Sequence, residues 1–256
     1  PPEATIADYR RIQARMGTQR AVLVTPSTYG SDNRAMLAGL SELGAQGRGV
    51  AVIAGDEDEA HLRDLHARGV RGVRINLSLG VTHGADALER IAARIAPVGW
   101  HLQLLMPVER LLPLASVLRR LPVDLVFDHF GRIAPAQVGQ PAHALLLELL
   151  ATGRAWLKVS GGYLVSPSAS VEDEGLDALA HSFIHAAPDR IVWGSDWPHA
   201  TASAGRQPMT DDARQVDRLV QWAGDAPTLR RILVIDQSQQ QMFERGVFVP
   251  ALRRIA

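Results

Sequence analysis

The sequence predicts an α/β protein whose parallel strands form a distorted (β/α)8 TIM barrel. Seven short apolar segments, rich in β-branched residues, alternate with amphipathic segments along the 256 residues. Most of them are too apolar for one face to lie in water, as is typical of parallel strands that helices cover. The length suits one barrel, and no linker, low-complexity tract or short repeat divides the chain. We therefore expect a single domain over residues 1–256.

The elements follow one another in a regular order. Concentrations of apolar and β-branched residues predict strands over residues 21–25, 48–54, 70–77, 100–106, 123–128, 155–160 and 190–194. Apolar residues at helical spacing predict helices over residues 4–16, 31–43, 56–68, 85–96, 109–120, 141–152, 171–186, 210–223, 227–235 and 237–243. Ser31 and Asp56 suit the N-cap positions of their helices, because their side-chain oxygens can accept hydrogen bonds from free backbone N–H groups.

The number of strands bears on how the barrel closes. A helix over residues 4–16 precedes the first of the seven strands, so we expect the first strand of an eight-stranded barrel to lie upstream of Pro1. The alternative is an open, doubly wound sheet that binds a nucleotide. That fold predicts a glycine-rich turn after its first strand, and residues 25–30 (TPSTYG) contain neither GxGxxG nor a P-loop. We therefore favour the barrel.

Composition limits the class of function. Lys plus Arg and Asp plus Glu both total 27, so no global field attracts the protein to nucleic acid or to an anionic membrane. The apolar runs are far shorter than the ~20 residues of a membrane helix, and no signal segment opens the chain. Cysteine is absent, which excludes thiolate chemistry and suits a reducing compartment. We expect a soluble, cytoplasmic protein that acts on a small molecule, with a homo-oligomer left open.

Catalytic groups of a barrel lie at the carboxyl ends of its strands, and this rule selects the polar residues of interest. Arg74 and Asn76 lie two residues apart and therefore on one face of the third predicted strand. Arg74 is either a bidentate clamp for a substrate carboxylate or half of a structural ion pair with Asp128 or another carboxylate. Asn76 is a second candidate for substrate binding on the same face.

The fifth predicted strand ends in DHFGR (residues 128–132), which places a carboxylate, an imidazole and a guanidinium within five positions. We expect His129 to be catalytic, with a packed core histidine as the alternative. Arg132 follows in the loop, from where it could bind the same anion as Arg74.

The last predicted strand leads into GSDWPH (residues 194–199). Asp196 follows an apolar strand, with glycine before it and proline close behind, so we expect its carboxylate to project into the barrel mouth as the catalytic base. The alternative is a turn in which Asp196 caps the following helix. Four further polar residues in loops or near strand ends are weaker candidates for substrate contact: Tyr29, Gln103, Tyr163 and His199.

The signatures of a metal site and of a nucleophile are incomplete. A hydrolytic zinc site needs about three converging His or carboxylate ligands and an open position for water. The strand ends supply only His129 and Asp196, so we assign no metal ligands and expect no cofactor, with a divalent metal such as zinc left open. Neither a GxSxG elbow nor a cysteine nucleophile is present.

Four segments together carry a family resemblance: VRGVRIN at 70–76, DHFGR at 128–132, KVSG at 158–161 and WGSDWPH at 193–199. They resemble the amidohydrolase superfamily, in particular its branch of 2-pyrone-4,6-dicarboxylate lactonase. The resemblance implies a distorted barrel in which an Asp after the last strand activates water, histidines polarise the scissile carbonyl and arginines hold carboxylates. On this sequence, Asp196 is then the base, His129 the electrophilic or proton-handling partner, and Arg74 and Arg132 the anion clamp.

The family also has a His-x-His pair at the end of its first strand. This sequence contains no His-x-His, and we expect the pair upstream of Pro1, together with the strand that carries it.

The function that the resemblance implies is hydrolysis of a carboxylated lactone, similar to 2-pyrone-4,6-dicarboxylate, by water that Asp196 deprotonates. Two alternatives stay open. An isomerase of a sugar-acid lactone would use the same base but transfer the acyl group to a substrate hydroxyl. A non-catalytic barrel that binds a small acid would follow if the His-x-His pair is absent.

Overall fold

The computed structural model describes residues 3–78 and 84–233, and its seven strands form one parallel sheet. Each strand pairs with the next strand along the chain, whereas a doubly wound sheet reverses its strand order. The α/β class is therefore confirmed, and the strands form a partial (β/α) barrel. They coincide with the predicted seven: β1 (Ala21–Val24), β2 (Gly47–Ala51), β3 (Val70–Asn76), β4 (His101–Leu105), β5 (Leu125–Phe127), β6 (Ala155–Val159) and β7 (Ile191–Trp193).

Helices cover the outer face of the sheet. They are α1 (Ile6–Met16), α2 (Arg34–Leu43), α3 (Glu59–Ala67), α4 (Ala85–Ile95), α5 (Ala115–Arg120), α6 (Pro141–Ala151), α7 (Gly175–Ala186), α8 (Ala200–Ser203), α9 (Asp212–Ala223) and α10 (Ala226–Ile232). Helix α2 packs on β1 and β2, α6 on β6 and α10 on β7. Helix α1 contacts both α2 and α9, so the helical layer continues from one end of the sheet to the other.

Two helices are clearly shorter than the periodicity predicts. The helix expected over residues 171–186 begins only at Gly175. The helix expected over residues 109–120 begins only at Ala115, and Val108–Arg110 form a separate 3-10 turn. Pro113 explains the break, because proline has no N–H and disfavours helical geometry in the residue before it. The helix expected over residues 237–243 lies outside the described residues, as do residues 234–235 of the helix before it. Within residues 3–78 and 84–233, no helix combines the length and apolar character needed to cross a membrane.

The N-caps of two helices lie two residues later than predicted. Helix α2 follows Asn33 and α3 follows Asp58, so Ser31 and Asp56 are not the N-caps. The Asp58 carboxylate accepts a hydrogen bond from a backbone N–H in the first turn of α3. The amide of Asn33 has a different role: its Oδ1 accepts hydrogen bonds from the Thr25 hydroxyl (2.7 Å) and from a backbone N–H after β2 (3.0 Å). Asn33 therefore ties together the chain segments that follow two neighbouring strands.

The inner face of the sheet is polar near the carboxyl ends of β3 and β4. The register places Gly72 beside His101 and Arg74 beside Gln103. A Cβ at Gly72 would lie 2.2 Å from the His101 ring, so only glycine leaves room for this buried imidazole at the start of β4. Arg74 and Gln103 lie one step closer to the carboxyl ends, where the loops converge.

Candidate active site

Two titratable side chains from different strands meet at the carboxyl end of the partial barrel. His129 follows β5 and Asp196 follows β7, and His129 Nε2 lies 3.8 Å from Asp196 Oδ1. The His129 side chain is 10% exposed and the Asp196 side chain is 29% exposed. The carboxylate is thus open to solvent, whereas the imidazole is nearly enclosed. This pair is the centre of the candidate site.

Left-handed backbone is concentrated around this pair. Six non-glycine residues of the described chain have positive φ, and five of them lie in the loops after β5 and β7. Such a conformation costs of order 1–3 kcal/mol per residue and is found preferentially in active sites and ligand clamps. The surrounding packing must therefore hold these loops in place. The five are His129, Phe130, Arg132, Asp196 and His199, with φ from 49° to 60°.

The loop after β6 holds the His129 ring. Ser160 Oγ lies 3.0 Å from His129 Nδ1. Gly161 follows in left-handed geometry (φ 56°), and a Cβ there would lie 2.8 Å from the same ring nitrogen. Glycine is needed at this position both for the backbone conformation and for the space that the imidazole occupies. Ser160 was not among the expected site residues, although it directly follows β6 and lies two residues after Lys158.

Two residues expected to contact substrate are instead hydrogen-bonded behind the Asp196 carboxylate. The Tyr163 hydroxyl donates to Asp196 Oδ2 at 2.6 Å and lies 3.0 Å from His199 Nδ1. Both Tyr163 and His199 are buried. Burial, reinforced by the charge and the hydrogen bond of Asp196, raises the pKa of Tyr163 well above its ordinary value, so the phenol stays protonated. On its other side, His199 Nε2 lies 3.1 Å from Asp212 Oδ1.

Arg74 and Asn76 converge on the loop after β1. Arg74 Nη2 donates to the Thr25 carbonyl (2.8 Å) and to Ser27 Oγ (3.0 Å), and Asn76 Nδ2 donates to the same Ser27 Oγ (2.7 Å). Arg74 Nε is buried and has no hydrogen-bond partner among the described residues. The ion pair with Asp128 weighed above does not form in this part of the chain. Ser27 was not a leading candidate, because a serine in a loop carries no signal of its tertiary partners.

Asp128 belongs to a buried network under the site. Gln103 Nε2 donates to both of its carboxylate oxygens (3.0 and 2.9 Å), and Lys158 Nζ lies 3.1 Å from Oδ1. Burial alone would raise the pKa of Asp128. The nearby charges of Lys158, His129 and Arg74 and the Gln103 hydrogen bond outweigh burial and hold this pKa below its ordinary value. The amide of Gln103, a predicted substrate contact, is therefore engaged with Asp128. Lys158 was missed, although its inward position on β6 could be read from the alternation.

Arg132 and Tyr29 remain available at the mouth. Arg132 has no hydrogen bond or ion pair within the described residues, although burial lowers the pKa of its guanidinium and the charges of Asp196 and Glu109 oppose that effect. Tyr29 lies in the 3-10 turn Ser27–Tyr29 after β1 and is 45% exposed. Both side chains could reach a ligand without breaking an existing bond.

The donor set does not fit a metal centre on its own. Across residues 3–78 and 84–233, no group of three or more His, Asp or Glu side chains is arranged to hold a metal ion. His129 and Asp196 supply two donors, one fewer than a catalytic zinc site takes from its protein. A metal ion at this position would need at least one further ligand besides His129 and Asp196.

The chain is similar in sequence to proteins named for reactions of lactones. The chain is 32% identical over 245 residues to a 2-pyrone-4,6-dicarboxylate hydrolase from Comamonas testosteroni, an alignment that covers 91% of this chain and 79% of the relative. It is 30% identical over 232 residues to a D-galactarolactone isomerase from Agrobacterium fabrum, covering 89% of this chain and 77% of the relative.

The fold is shared with solved structures as well. A putative 2-pyrone-4,6-dicarboxylic acid hydrolase from Pseudomonas putida superposes with a TM-score of 0.80 at 31% sequence identity, covering 95% of this chain and 88% of the other. A family model described as Amidohydrolase matches residues 1–234, which include every strand and every side chain of the site. With the sequential parallel strands and the aspartate that follows β7, this match makes the chain a member of the amidohydrolase family.

Proposed function

We propose that this protein hydrolyses a carboxylated lactone, with Asp196 as the base that activates water. One observation carries the proposal: a solvent-open carboxylate lies beside an enclosed imidazole at the carboxyl ends of the strands, with the uncommitted Arg132 guanidinium in the same loop as that imidazole. General base, electrophile and anion-binding group are the parts that ester hydrolysis of an anionic substrate requires. The relatives named for lactone chemistry support the same class of substrate.

The reaction begins when Asp196 takes a proton from water. The resulting hydroxide oxygen bonds to the lactone carbonyl carbon, and the carbonyl π electrons move to its oxygen. Ser160 can donate its hydroxyl proton to His129 Nδ1, which leaves the ring proton on Nε2, the nitrogen that faces Asp196. His129 Nε2–H then donates to the developing oxyanion, a kind of contact that contributes ~10²- to 10³-fold to the rate. Collapse breaks the ring C–O bond, and the released oxygen takes up the proton held by Asp196.

Arg132 and Arg74 orient the substrate through its carboxylates. Arg132 has no partner among the described residues, and Arg74 is held by a carbonyl and a hydroxyl but by no carboxylate. The Asp128 charge is already balanced by Lys158. Neither guanidinium is hydrogen-bonded to a carboxylate of the described residues, so both can donate to a substrate carboxylate. Asn76 and Tyr29 are further contacts in this proposal, at the Ser27 side of the mouth.

Isotope labelling tests the reaction. Turnover of 2-pyrone-4,6-dicarboxylate and of sugar-acid lactones is measured in H2¹⁸O by mass spectrometry. Hydrolysis places one ¹⁸O in the new carboxylate, whereas isomerisation by transfer to a substrate hydroxyl places none. Asp196→Asn is expected to lower kcat by about 10²- to 10⁴-fold with little change in substrate affinity. The exposed carboxylate variant Asp217→Asn is the matched control and should retain full activity.

The outcomes separate the candidate functions. Unlabelled product would replace hydrolysis by isomerisation and keep Asp196 as the base. Binding of the lactones without any turnover would favour the non-catalytic barrel. Full turnover by Asp196→Asn would remove the base assignment altogether.

Location and domain organisation complete the proposal. We place the enzyme in the cytoplasm as one domain over residues 1–256, supported by the absence of cysteine and by the continuous run of sequential strands. Fractionation of cells that express the protein, followed by limited proteolysis, tests both points.

A further inference from the structure

Four side chains form a continuous line of hydrogen-bond contacts from the mouth into the protein. Asp196 Oδ2 lies 2.6 Å from Tyr163 Oη, which lies 3.0 Å from His199 Nδ1. His199 Nε2 in turn lies 3.1 Å from Asp212 Oδ1. The sequence patterns offered Tyr163 and His199 only as substrate contacts, and the proposed hydrolysis assigns no role to them or to Asp212.

The surrounding protein encloses most of this line of side chains. Tyr163 and His199 are buried, and the Asp212 side chain is mostly covered. Gln215 Nε2 donates to the Ser195 carbonyl at 2.9 Å and approaches Asp212 Oδ1 at 3.4 Å, which joins the start of α9 to the Asp196 loop. Asp196 is thus the member through which the line meets solvent and substrate.

A count of protons shows what the line can do. It contains three contacts, and each contact needs one proton between its two heavy atoms. With both carboxylates ionised, a neutral imidazole and a neutral phenol supply only two. The third is supplied when Asp196 takes a proton from water. From that starting state, the arrangement becomes fully hydrogen-bonded once Asp196 has taken a proton from water.

We propose that Tyr163, His199 and Asp212 are positioning residues that form a proton relay for Asp196, a role that rests on the proposed hydrolysis. After water activation, Asp196 passes its proton to Tyr163 Oη while the Tyr163 hydroxyl proton moves to His199 Nδ1. His199 becomes an imidazolium between Tyr163 and the Asp212 carboxylate. When the ring C–O bond breaks, both protons move back and Asp196 protonates the leaving oxygen. No proton is gained or lost over the cycle.

The Asp212 carboxylate favours the position of the proton on His199, at the end of the relay away from the substrate. A charge-assisted hydrogen bond from an imidazolium to a carboxylate is roughly twice as strong as a neutral one. The proton is thereby stored away from the substrate while the tetrahedral intermediate exists, and Asp196 can return to its ionised form.

Kinetics of two variants test the relay. Tyr163→Phe removes the bridging hydroxyl, and His199→Gln keeps a polar side chain but cannot carry a proton. Each should lower kcat by about 10- to 100-fold while KM changes by less than about threefold, because neither side chain touches substrate. The kcat of the native enzyme should depend non-linearly on the deuterium fraction of the solvent, and Tyr163→Phe should make that dependence linear. Ser203→Ala, which removes the Ser203 hydrogen bond to the Pro198 carbonyl in the same loop, is the matched control.

A second readout does not require turnover. Because the relay couples Asp196 to His199, Asp196→Asn should shift the ¹⁵N signals of the His199 ring in the native background and leave them unchanged in a Tyr163→Phe background. A lack of lactone turnover together with this coupling would reject the proposed function and keep the relay. Unchanged kcat in both variants, a KM rise that matches the loss of kcat, or His199 signals that ignore Asp196→Asn would overturn the relay.

Discussion

Replacing Lys158 by Met should destabilise the protein strongly at neutral pH. Lys158 Nζ lies 3.1 Å from Asp128 Oδ1, and the two side chains are 12% and 2% exposed. At an effective dielectric constant of about 20, two charges at this distance attract each other by about 5 kcal/mol. Gln103 still donates to both Asp128 oxygens after the substitution. Removing one member of a buried pair costs about 3–5 kcal/mol, and the lower part of that range applies here because Gln103 stays.

The unfolding free energy that Lys158→Met loses should depend on pH, and the ionisation of Asp128 determines the direction of that dependence. In the native protein the folded pKa of Asp128 is below its unfolded value, so its pair with Lys158 contributes stability above about pH 4 that is lost as the pH falls through the folded pKa. Without Lys158, only His129, Arg74 and the Gln103 hydrogen bond oppose the effect of burial, so the pKa of Asp128 in the folded protein moves upward. An ionised Asp128 then destabilises the variant at pH 7, and protonation relieves that cost as the pH falls. The difference in unfolding free energy between Lys158→Met and the native protein should therefore become smaller from pH 7 to pH 5.

Urea unfolding at pH 7 and pH 5, followed by circular dichroism, measures both effects. Lys158→Met combined with Asp128→Asn should recover most of the loss, since no buried charge then lacks a partner. Arg119→Met is the contrasting control, because Arg119 and Glu148 form an exposed ion pair that contributes at most about 1 kcal/mol. A loss below about 1 kcal/mol at pH 7, equal to the loss at pH 5, would refute the description of Asp128 as a buried, charge-balanced group.

Three further changes probe other parts of the structure. Gly161→Ala should lower kcat at least about tenfold and the unfolding free energy by about 1–2 kcal/mol, because its Cβ would meet His129. The control is Gly99→Ala, where the backbone is also left-handed but the space around it is open. This control should lower the unfolding free energy and leave kcat unchanged. Arg132→Met should raise KM for a carboxylated lactone about tenfold or more in steady-state assays and leave the urea midpoint unchanged; a shifted midpoint would make Arg132 structural. Asn33→Ala should lower the unfolding free energy by about 1–3 kcal/mol in urea titrations, because it leaves a strand-end N–H and the Thr25 hydroxyl without their acceptor; an unchanged midpoint would contradict that role.

The local sequence pattern was sufficient to predict the fold, but it was not sufficient to predict which side chains contact one another in the site. Most strands could be predicted because they are short apolar runs, such as Ile191–Trp193, that are typical of a parallel sheet covered by helices. The helix around Pro113 and the start of α2 were misplaced, because a proline inside the pattern and the tertiary bonds of Asn33 override periodicity and capping preference. The rule that strand ends carry chemistry led to His129 and Asp196, which the structure places 3.8 Å apart. It could not show that Tyr163 and His199 lie behind Asp196, since that depends on two loops with left-handed backbone.

The same limit explains how two aspartates at strand ends come to differ. Asp128 is the first residue after β5 and Asp196 is the third residue after β7. The sequence favoured Asp196 as the base only through the glycine and proline around it, and it did not show what surrounds either carboxylate. Asp128 is 2% exposed, its charge is balanced by Lys158, and its pKa is held low, so it is a poor proton acceptor and has no path to water. Asp196 is 29% exposed and faces a neutral phenol, not a cation, on its inner side. Its carboxylate can therefore both meet water and pass on a proton. The two carboxylates differ because they meet different partners from β6 and the loop after it. Lys158 balances the charge of Asp128, which makes that charge structural. Tyr163 donates a hydrogen bond to Asp196 without neutralising it, which leaves that carboxylate reactive.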